Sequence, residues 1–174
     1  KKYGAALVAL TIDEKGMAKT AQDKLRIAQR IFELATQKYG ILAEDLFFDT
    51  LTFTLGSGDD EFRRAGAETL EAITFVKKEL AGVRTLLGVS NISFGLDPEA
   101  RQVLNSVFLD RALQAGLDAA IVNAQKILPL HKIPPEEIEL CRNLILDERS
   151  QGDPLQAFLV YFEKKKGTVK KEEK

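Results

Sequence analysis

The sequence has few of the residues from which metal sites, disulfides and membrane spans are built. Its 174 residues include one Cys, Cys141, and one His, His131. A lone Cys forms no internal disulfide, so we expect a reducing compartment, the cytoplasm. Without a Cys or His cluster we expect no soft-metal site. No apolar run approaches the roughly 20 residues that a transmembrane helix needs, so we expect no membrane span.

The charge is also nearly balanced. The 25 Lys and Arg residues face 26 Asp and Glu residues, giving a net charge of −1. Binding to nucleic acid draws on a broad positive field, so nucleic acid is not an expected partner. The hydrophobic content of 45% is enough for a globular core. Because the sequence starts at Lys1 and enters an apolar run at Ala5, we expect it to be a fragment of a longer protein.

Short apolar runs alternate with amphipathic helical patterns along the chain. The runs are nearly continuous, which is typical of parallel strands covered on both faces: Ala5 to Ile12, Leu46 to Phe48, Thr85 to Val89 and Ala119 to Val122. Helical patterns cover residues 20–38, with Lys24 on the polar side, and 59–80, and a third opens at Asp97-Pro98 with a cap and a first-position Pro. The alternation predicts an α/β fold of four βα units.

Two architectures are compatible with such units, namely a doubly wound open sheet and half of a (β/α)8 barrel, since a complete barrel takes about 250 residues. Half of a barrel would leave two open strand edges. After a helix that starts near Pro134, a Gly152-Asp153-Pro154 break precedes a last apolar helical segment. From Lys164 the chain is wholly polar, which indicates a solvated linker to a further domain.

A polar side chain follows each apolar run: Asp13, Asp49, Asn91 and Asn123. In parallel α/β folds ligands bind at the carboxyl ends of the strands, so these groups are expected to converge on one site. Two acids and two amides suit hydrogen bonding to a heteroaromatic ligand. The alternative is structural: Asp49 and Asn91 would cap turns, Asp13 would form a turn and Asn123 would orient its loop.

Other candidates carry weaker signals. A polar loop over residues 52–58 has glycines that would let its backbone approach a ligand, although it is not a phosphate-binding motif. His131 has no partner at ligand spacing and is predicted to lie at the surface, and Cys141 lies on an apolar helix face and is predicted to be core. The motifs of serine hydrolases, P-loop proteins and zinc proteases are absent from the sequence.

Residues 86–95, Leu-Leu-Gly-Val-Ser-Asn-Ile-Ser-Phe-Gly, followed by Arg101 and Asn105, closely resemble a segment of the pterin-binding domain of cobalamin-dependent methionine synthase. Residues 11–18, 45–49 and 116–124 resemble further segments of that family in the same order. The resemblance implies that residues 1–153 are the C-terminal half of a (β/α)8 TIM-type barrel. It implies that residues 154–174 are a terminal helix and charged linker toward a cobalamin-binding domain.

The resemblance also implies a function. The family binds 5-methyltetrahydrofolate and transfers its methyl group from N5 to cob(I)alamin held on another domain, in methionine synthesis. By this resemblance Asp49 binds the amino-pyrimidine edge of the pterin and Asn91, the catalytic residue, reaches N5. Asp13, Asn123 and Arg101 are given supporting roles in substrate binding, and no metal is expected.

The sequence departs from the family in two respects. The family usually has Pro where Thr50 stands, and its other pterin-binding acid and amide come from early strands that are absent here. A corrinoid-protein methyltransferase of one-carbon metabolism is an alternative with the same fold. A second alternative is a non-catalytic half-barrel that pairs with its missing half or with itself as a homodimer. Dihydropteroate synthase ranks low, because it usually carries Ser-Arg-Lys where Ser90-Asn91-Ile92 stands here.

Overall fold

The core of the structure, a computed structural model, is a parallel four-stranded sheet. The structure describes residues 2–172, and their side chains as far as Gly167. The sheet strands are β1 (Leu7–Leu10), β4 (Leu46–Asp49), β5 (Arg84–Gly88) and β6 (Ala119–Ile121), which lie side by side in chain order. A short antiparallel hairpin, β2 (Ile12–Asp13) and β3 (Gly16–Met17), follows β1.

Helices connect the strands and follow the last of them: α1 (Ala21–Glu33), α2 (Ala65–Glu79), α3 (Pro98–Gln114), α4 (Pro135–Leu146) and α5 (Pro154–Glu172). The helix α1 continues through a π-helical turn, Leu34–Lys38. Thr20 caps α1 by accepting a hydrogen bond from the Asp23 amide, and Asp97 caps α3 by accepting one from the Glu99 amide. The predicted α/β class, with a parallel sheet of four βα units, is therefore confirmed.

Two groups of buried side chains hold the sheet against the helices. One includes Leu87 on β5, Phe108 on α3 and Phe158 on α5, and the other includes Phe48 on β4 and Val76 on α2. Strands β4 and β5 therefore lie at the centre of the packing. Their carboxyl ends are in register, because Asp49 pairs with Leu86, and this places Asp49 close to the turn that follows β5.

The prediction that every strand is covered on both faces is wrong for the edge strands. On β1, Leu7, Val8 and Leu10 are 44%, 57% and 45% exposed, and on β6 Ile121 is 64% exposed. Within the described residues β1 and β6 each have a neighbouring strand along one edge only. No strand shields their side chains along the other edge. The two edges of this sheet thus carry exposed apolar side chains.

The first residues of the segment predicted as a solvated linker, from Lys164 onward, are helical in the structure. The helix α5 continues to Glu172. Lys165 donates to Glu99 at 2.8 Å and also to Glu137, which is 1% exposed, while Lys166 donates to Asp97 at 2.6 Å. A buried carboxylate requires a cationic partner, so this part of α5 is held against α3 and α4. The side chains of residues 168–172 and all of residues 173–174 lie outside the described part, where the linker stays a prediction.

Candidate functional site

A cavity of about 330 Å³ opens at the carboxyl ends of β4 and β5. We call it the β4–β5 cavity. Asp49 and Asn91 both line it, together with Thr52, Phe53 and Phe94. The expected convergence of Asp49 and Asn91 is therefore observed, and the wall combines two polar groups with aromatic surface, as ligand sites commonly do.

Asp49 is the last residue of β4, and the chain beyond it turns so that its own backbone holds the carboxylate. The Leu51 amide donates to Asp49 Oδ1 at 2.8 Å. Burial raises the pKa of the Asp49 carboxyl, while this hydrogen bond and the positive charge of Lys24 oppose the rise. The carboxylate is thus an acceptor fixed in direction at the wall of the cavity.

The segment after Asp49 has an unusual backbone. Leu51 has a φ of 58°, in the left-handed region that β-carbon-bearing residues rarely adopt. Its carbonyl accepts hydrogen bonds from Thr69 Oγ1 at 3.0 Å and from Lys24 Nζ at 3.3 Å. On either side of it, the hydroxyls of Thr50 and Thr52 are buried and have no hydrogen-bond partner among the described residues. Thr50, where the family usually has Pro, therefore lies in a segment that α1 and α2 hold in place.

Asn91 lies on a 3-10 turn, Val89–Ser93, that begins directly after β5. Its side chain is exposed, and its amide nitrogen lies beside Gly88, where a β-carbon would come within 3.7 Å of it. Ser93 fixes the turn by donating from Oγ to Asn105 Oδ1 at 2.8 Å, and Arg101 Nε donates to Ser93 Oγ at 3.2 Å. The amide is accessible while the backbone that carries it is firmly held.

The loop after β4 and the turn after β5 are hydrogen-bonded to each other. The Leu55 amide donates to the Ile92 carbonyl at 2.9 Å, and Thr54 Oγ1 donates to the Phe94 carbonyl at 2.8 Å. A β-carbon at Gly56 would lie 2.9 Å from that same carbonyl oxygen. The expectation that the glycines of this loop admit a ligand is wrong for Gly56, which permits close contact between the two loops. These contacts fix Asp49 and Asn91 relative to each other.

A second cavity, of about 350 Å³, lies between the turns that follow β5 and β6. We call it the β5–β6 cavity; Ser90, Arg101, Asn123 and Lys126 are among the residues that line it. Asn123 Oδ1 accepts a hydrogen bond from the Gln125 amide at 3.2 Å, so Asn123 helps to orient its own loop. Arg101 and Asn123 thus lie next to the β4–β5 cavity and not in its wall.

Asp13 lies apart from both cavities. It belongs to the β2–β3 hairpin, where Oδ1 accepts from the Lys15 amide at 2.9 Å and Oδ2 accepts from Arg26 at 3.0 Å. The Lys15 amide and the Arg26 guanidinium lower the pKa of the Asp13 carboxyl. The expectation that all four strand-end residues converge on one site is therefore wrong for Asp13, because the chain turns back into a hairpin after β1.

The prediction for Lys24 is also wrong. Lys24, assigned to the polar side of its helix, is 0% exposed. Its spacing from Ala21 and Ala28 puts it on the buried face of α1, and that spacing is the signal that could have identified it.

Cys141 is buried as predicted, and His131 is exposed. Among the side chains that the structure describes, as far as Gly167, no group of three or more His, Cys, Asp and Glu residues is placed to hold a metal ion. None of the helices within residues 2–172 has the length and apolar character of a membrane span.

Known proteins similar to this chain include a protein family and two methionine synthases. The sequence matches the pterin binding enzyme family over residues 1–123. It is 50% identical over 174 residues to methionine synthase of Mycobacterium tuberculosis, covering 99% of this chain and 15% of that protein. It is 49% identical over 162 residues to methionine synthase of Mycobacterium leprae, covering 92% of this chain and 13% of that protein. The cavity with its strand-end acid and amide, and the family match over most of the chain, lead to one conclusion: the chain belongs to the pterin-binding enzyme family.

Proposed function

We propose that the β4–β5 cavity binds the pterin ring of 5-methyltetrahydrofolate, and that the chain supports methyl transfer from N5 to cob(I)alamin on another domain, in methionine synthesis. The observation that carries this proposal is the placement of Asp49 and Asn91 on the wall of one cavity, at the ends of adjacent parallel strands, in a member of the pterin-binding family. The two methionine synthases similar to this chain support the assignment to methionine synthesis.

Asp49 would bind the amino-pyrimidine edge of the pterin. That edge presents an amino group and a ring N–H, and an ionised carboxylate accepts two such donors side by side. Leu51 already directs one oxygen of Asp49, so the carboxylate needs little reorganisation when the ligand arrives. The apolar surfaces of Phe53 and Phe94 would exclude water from the ring.

Asn91 would act at N5. Tetrahydrofolate leaves poorly from its methyl group unless N5 is protonated or hydrogen-bonded as the bond to carbon breaks. A neutral amide cannot supply that proton, but its dipole can stabilise charge that develops at N5, and a fixed dipole does so without a cost of reorientation. The hydrogen bonds that hold the turn at Ser93 keep the amide in position for this role.

Arg101 and Asn123 would support the same substrate from the β5–β6 cavity. Arg101 and Lys126 bring positive charge to this cavity, and no acidic side chain lines it among the described residues. Such a surface suits the carboxylates of the glutamyl part of the folate. The β4–β5 and β5–β6 cavities would then hold the two ends of one ligand.

The four βα units would form the second half of a (β/α)8 barrel. The exposed apolar side chains of β1 and β6 support this proposal, because strands of a first half would cover both edges. The chain spans 15% and 13% of the lengths of the two methionine synthases to which it is similar, so the remaining strands and the cobalamin-binding domain would lie elsewhere in the protein.

Replacement of Asn91 by Ala in the full-length protein tests the catalytic role. We expect the rate of methyl transfer to fall by about 100-fold, the usual effect of removing one preorganised donor, with the thermal midpoint unchanged. Calorimetric titration with 5-methyltetrahydrofolate would measure binding separately. Asn143→Ala, which changes an amide on α4 outside both cavities, is the matched control. Unchanged methyl transfer in Asn91→Ala would refute the role of Asn91.

A further inference from the structure

Lys24 is a lysine without access to water, and it is not among the residues that line the β4–β5 cavity. Its side chain is 0% exposed, whereas lysine is almost never fully buried without a partner. It forms no direct ion pair with any side chain that the structure describes; Nζ donates to Thr69 Oγ1 at 3.0 Å and to the Leu51 carbonyl at 3.3 Å. Taking an ammonium group out of water is costly, so a buried lysine needs a specific reason.

The partners of Lys24 connect it to Asp49 through a single residue. Leu51 accepts from Lys24 through its carbonyl and donates to the Asp49 carboxylate through its amide. Leu51 is also the residue with φ of 58°, and the buried hydroxyls on both sides of it have no partner among the described residues. Backbone strain of this kind persists only where the surroundings hold it, and it concentrates at functional sites.

We propose that Lys24 is a positioning residue of the folate site: its buried ammonium holds Leu51 in the left-handed conformation, which directs Asp49 toward the pterin and keeps it ionised. The proposal rests on the proposed function of the β4–β5 cavity. The ammonium also lies 5.7 Å from the ring centre of Phe53, a wall of that cavity, so one charge supports both a polar and an aromatic part of the wall.

The electrostatics agree with this geometry. Burial lowers the pKa of Lys24 to about 8, against the attraction of Glu68 on α2 and of Asp49 at the end of β4. Glu68 is itself engaged, since it accepts from the Ala21 amide at 2.6 Å and lies 3.5 Å from Arg64. A ligand that covers Asp49 removes water from the carboxylate, and the neighbouring positive charge then becomes more important for keeping it ionised.

The test is Lys24→Met, which keeps most of the side-chain volume and removes the charge. In the full-length protein, calorimetric titration with 5-methyltetrahydrofolate at pH 7 should show affinity at least about tenfold weaker, the usual scale for hydrogen bonds of a charged group. Lys19→Met is the matched control, because Lys19 is exposed, its ion pair with Glu61 lies at the surface, and its ammonium lies 5.5 Å from the ring centre of Phe62, which does not line the β4–β5 cavity. It should bind like the wild type.

The pH profile separates positioning from a general loss of structure. Between pH 7 and pH 9.5 Lys24 loses its proton, so the affinity of the wild type should fall across this range and that of Lys24→Met should stay level. If Lys24→Met does not fold, the profile of the wild type decides by itself, and a level profile overturns the proposal. Wild-type affinity in a folded Lys24→Met also overturns it. Absence of binding by the wild type would instead overturn the proposed function.

Discussion

The packing of α2 against α4 predicts that Gly→Ala substitution changes the free energy of unfolding in opposite directions at two glycines. Gly66 lies on α2, where an added β-carbon would come within 2.6 Å of the Ile145 carbonyl oxygen and 3.1 Å of the Ile145 α-carbon. Gly167 lies on α5, where an added β-carbon would meet nothing within 4 Å among the described side chains and backbone. The same substitution, Gly to Ala in a helix, therefore isolates the effect of the neighbouring backbone.

The magnitudes follow from two competing effects. Ala is favoured over Gly inside a helix by about 1 kcal/mol, so Gly167→Ala should raise the free energy of unfolding by about 0.5 to 1 kcal/mol. At Gly66 the new methyl group meets backbone that cannot move aside easily. Overpacking costs about 1 to 3 kcal/mol, and a contact this short belongs at the upper end, so we expect Gly66→Ala to lose about 2 kcal/mol net.

Thermal and urea unfolding of both variants beside the wild type would measure these differences. For a chain of this size, 2 kcal/mol corresponds to a fall in the thermal midpoint of about 4 to 8 °C. Because α2 also carries Thr69, which holds the Leu51 carbonyl, Gly66→Ala should weaken folate binding as well. A Gly66→Ala protein as stable as the wild type would refute the packing argument.

Two further predictions concern the sheet and the core. Asp118 accepts hydrogen bonds from the Thr85 amide at 2.7 Å and from Lys77 at 2.9 Å; burial raises the pKa of Asp118, but these bonds outweigh it and the net pKa is lowered. The stabilisation that the ionised Asp118 gives the fold is therefore present at neutral pH and is lost as pH falls through the lowered pKa. Urea titrations should show Asp118→Asn about 1 kcal/mol less stable than the wild type at pH 7. This difference in the free energy of unfolding should close below about pH 4. Cys141 is buried and burial raises the pKa of its thiol, so a thiol reagent should modify it only after unfolding with urea; rapid labelling in the absence of urea would contradict its placement in the core.

The sequence by itself determined the fold class and much of the local structure. Apolar runs of strand length located the four parallel strands, and amphipathic patterns located the helices between them. Both signals are visible in the sequence because they involve residues close together along the chain. The start of α3 was visible in Asp97 and Pro98, since capping is also local. The rule that ligands bind at strand carboxyl ends was enough to place Asp49 and Asn91 together.

Only the tertiary structure decided which polar residues share a cavity and which are structural. Asp13 follows an apolar run of the sequence just as Asp49 does, yet it lies in a hairpin and pairs with Arg26. Lys24 looked like one more surface lysine, but its partners at Leu51 and Thr69 lie 27 and 45 residues away along the chain. The physical reason is that a buried polar group is defined by the distant groups that satisfy it, and no local pattern of residues encodes that pairing.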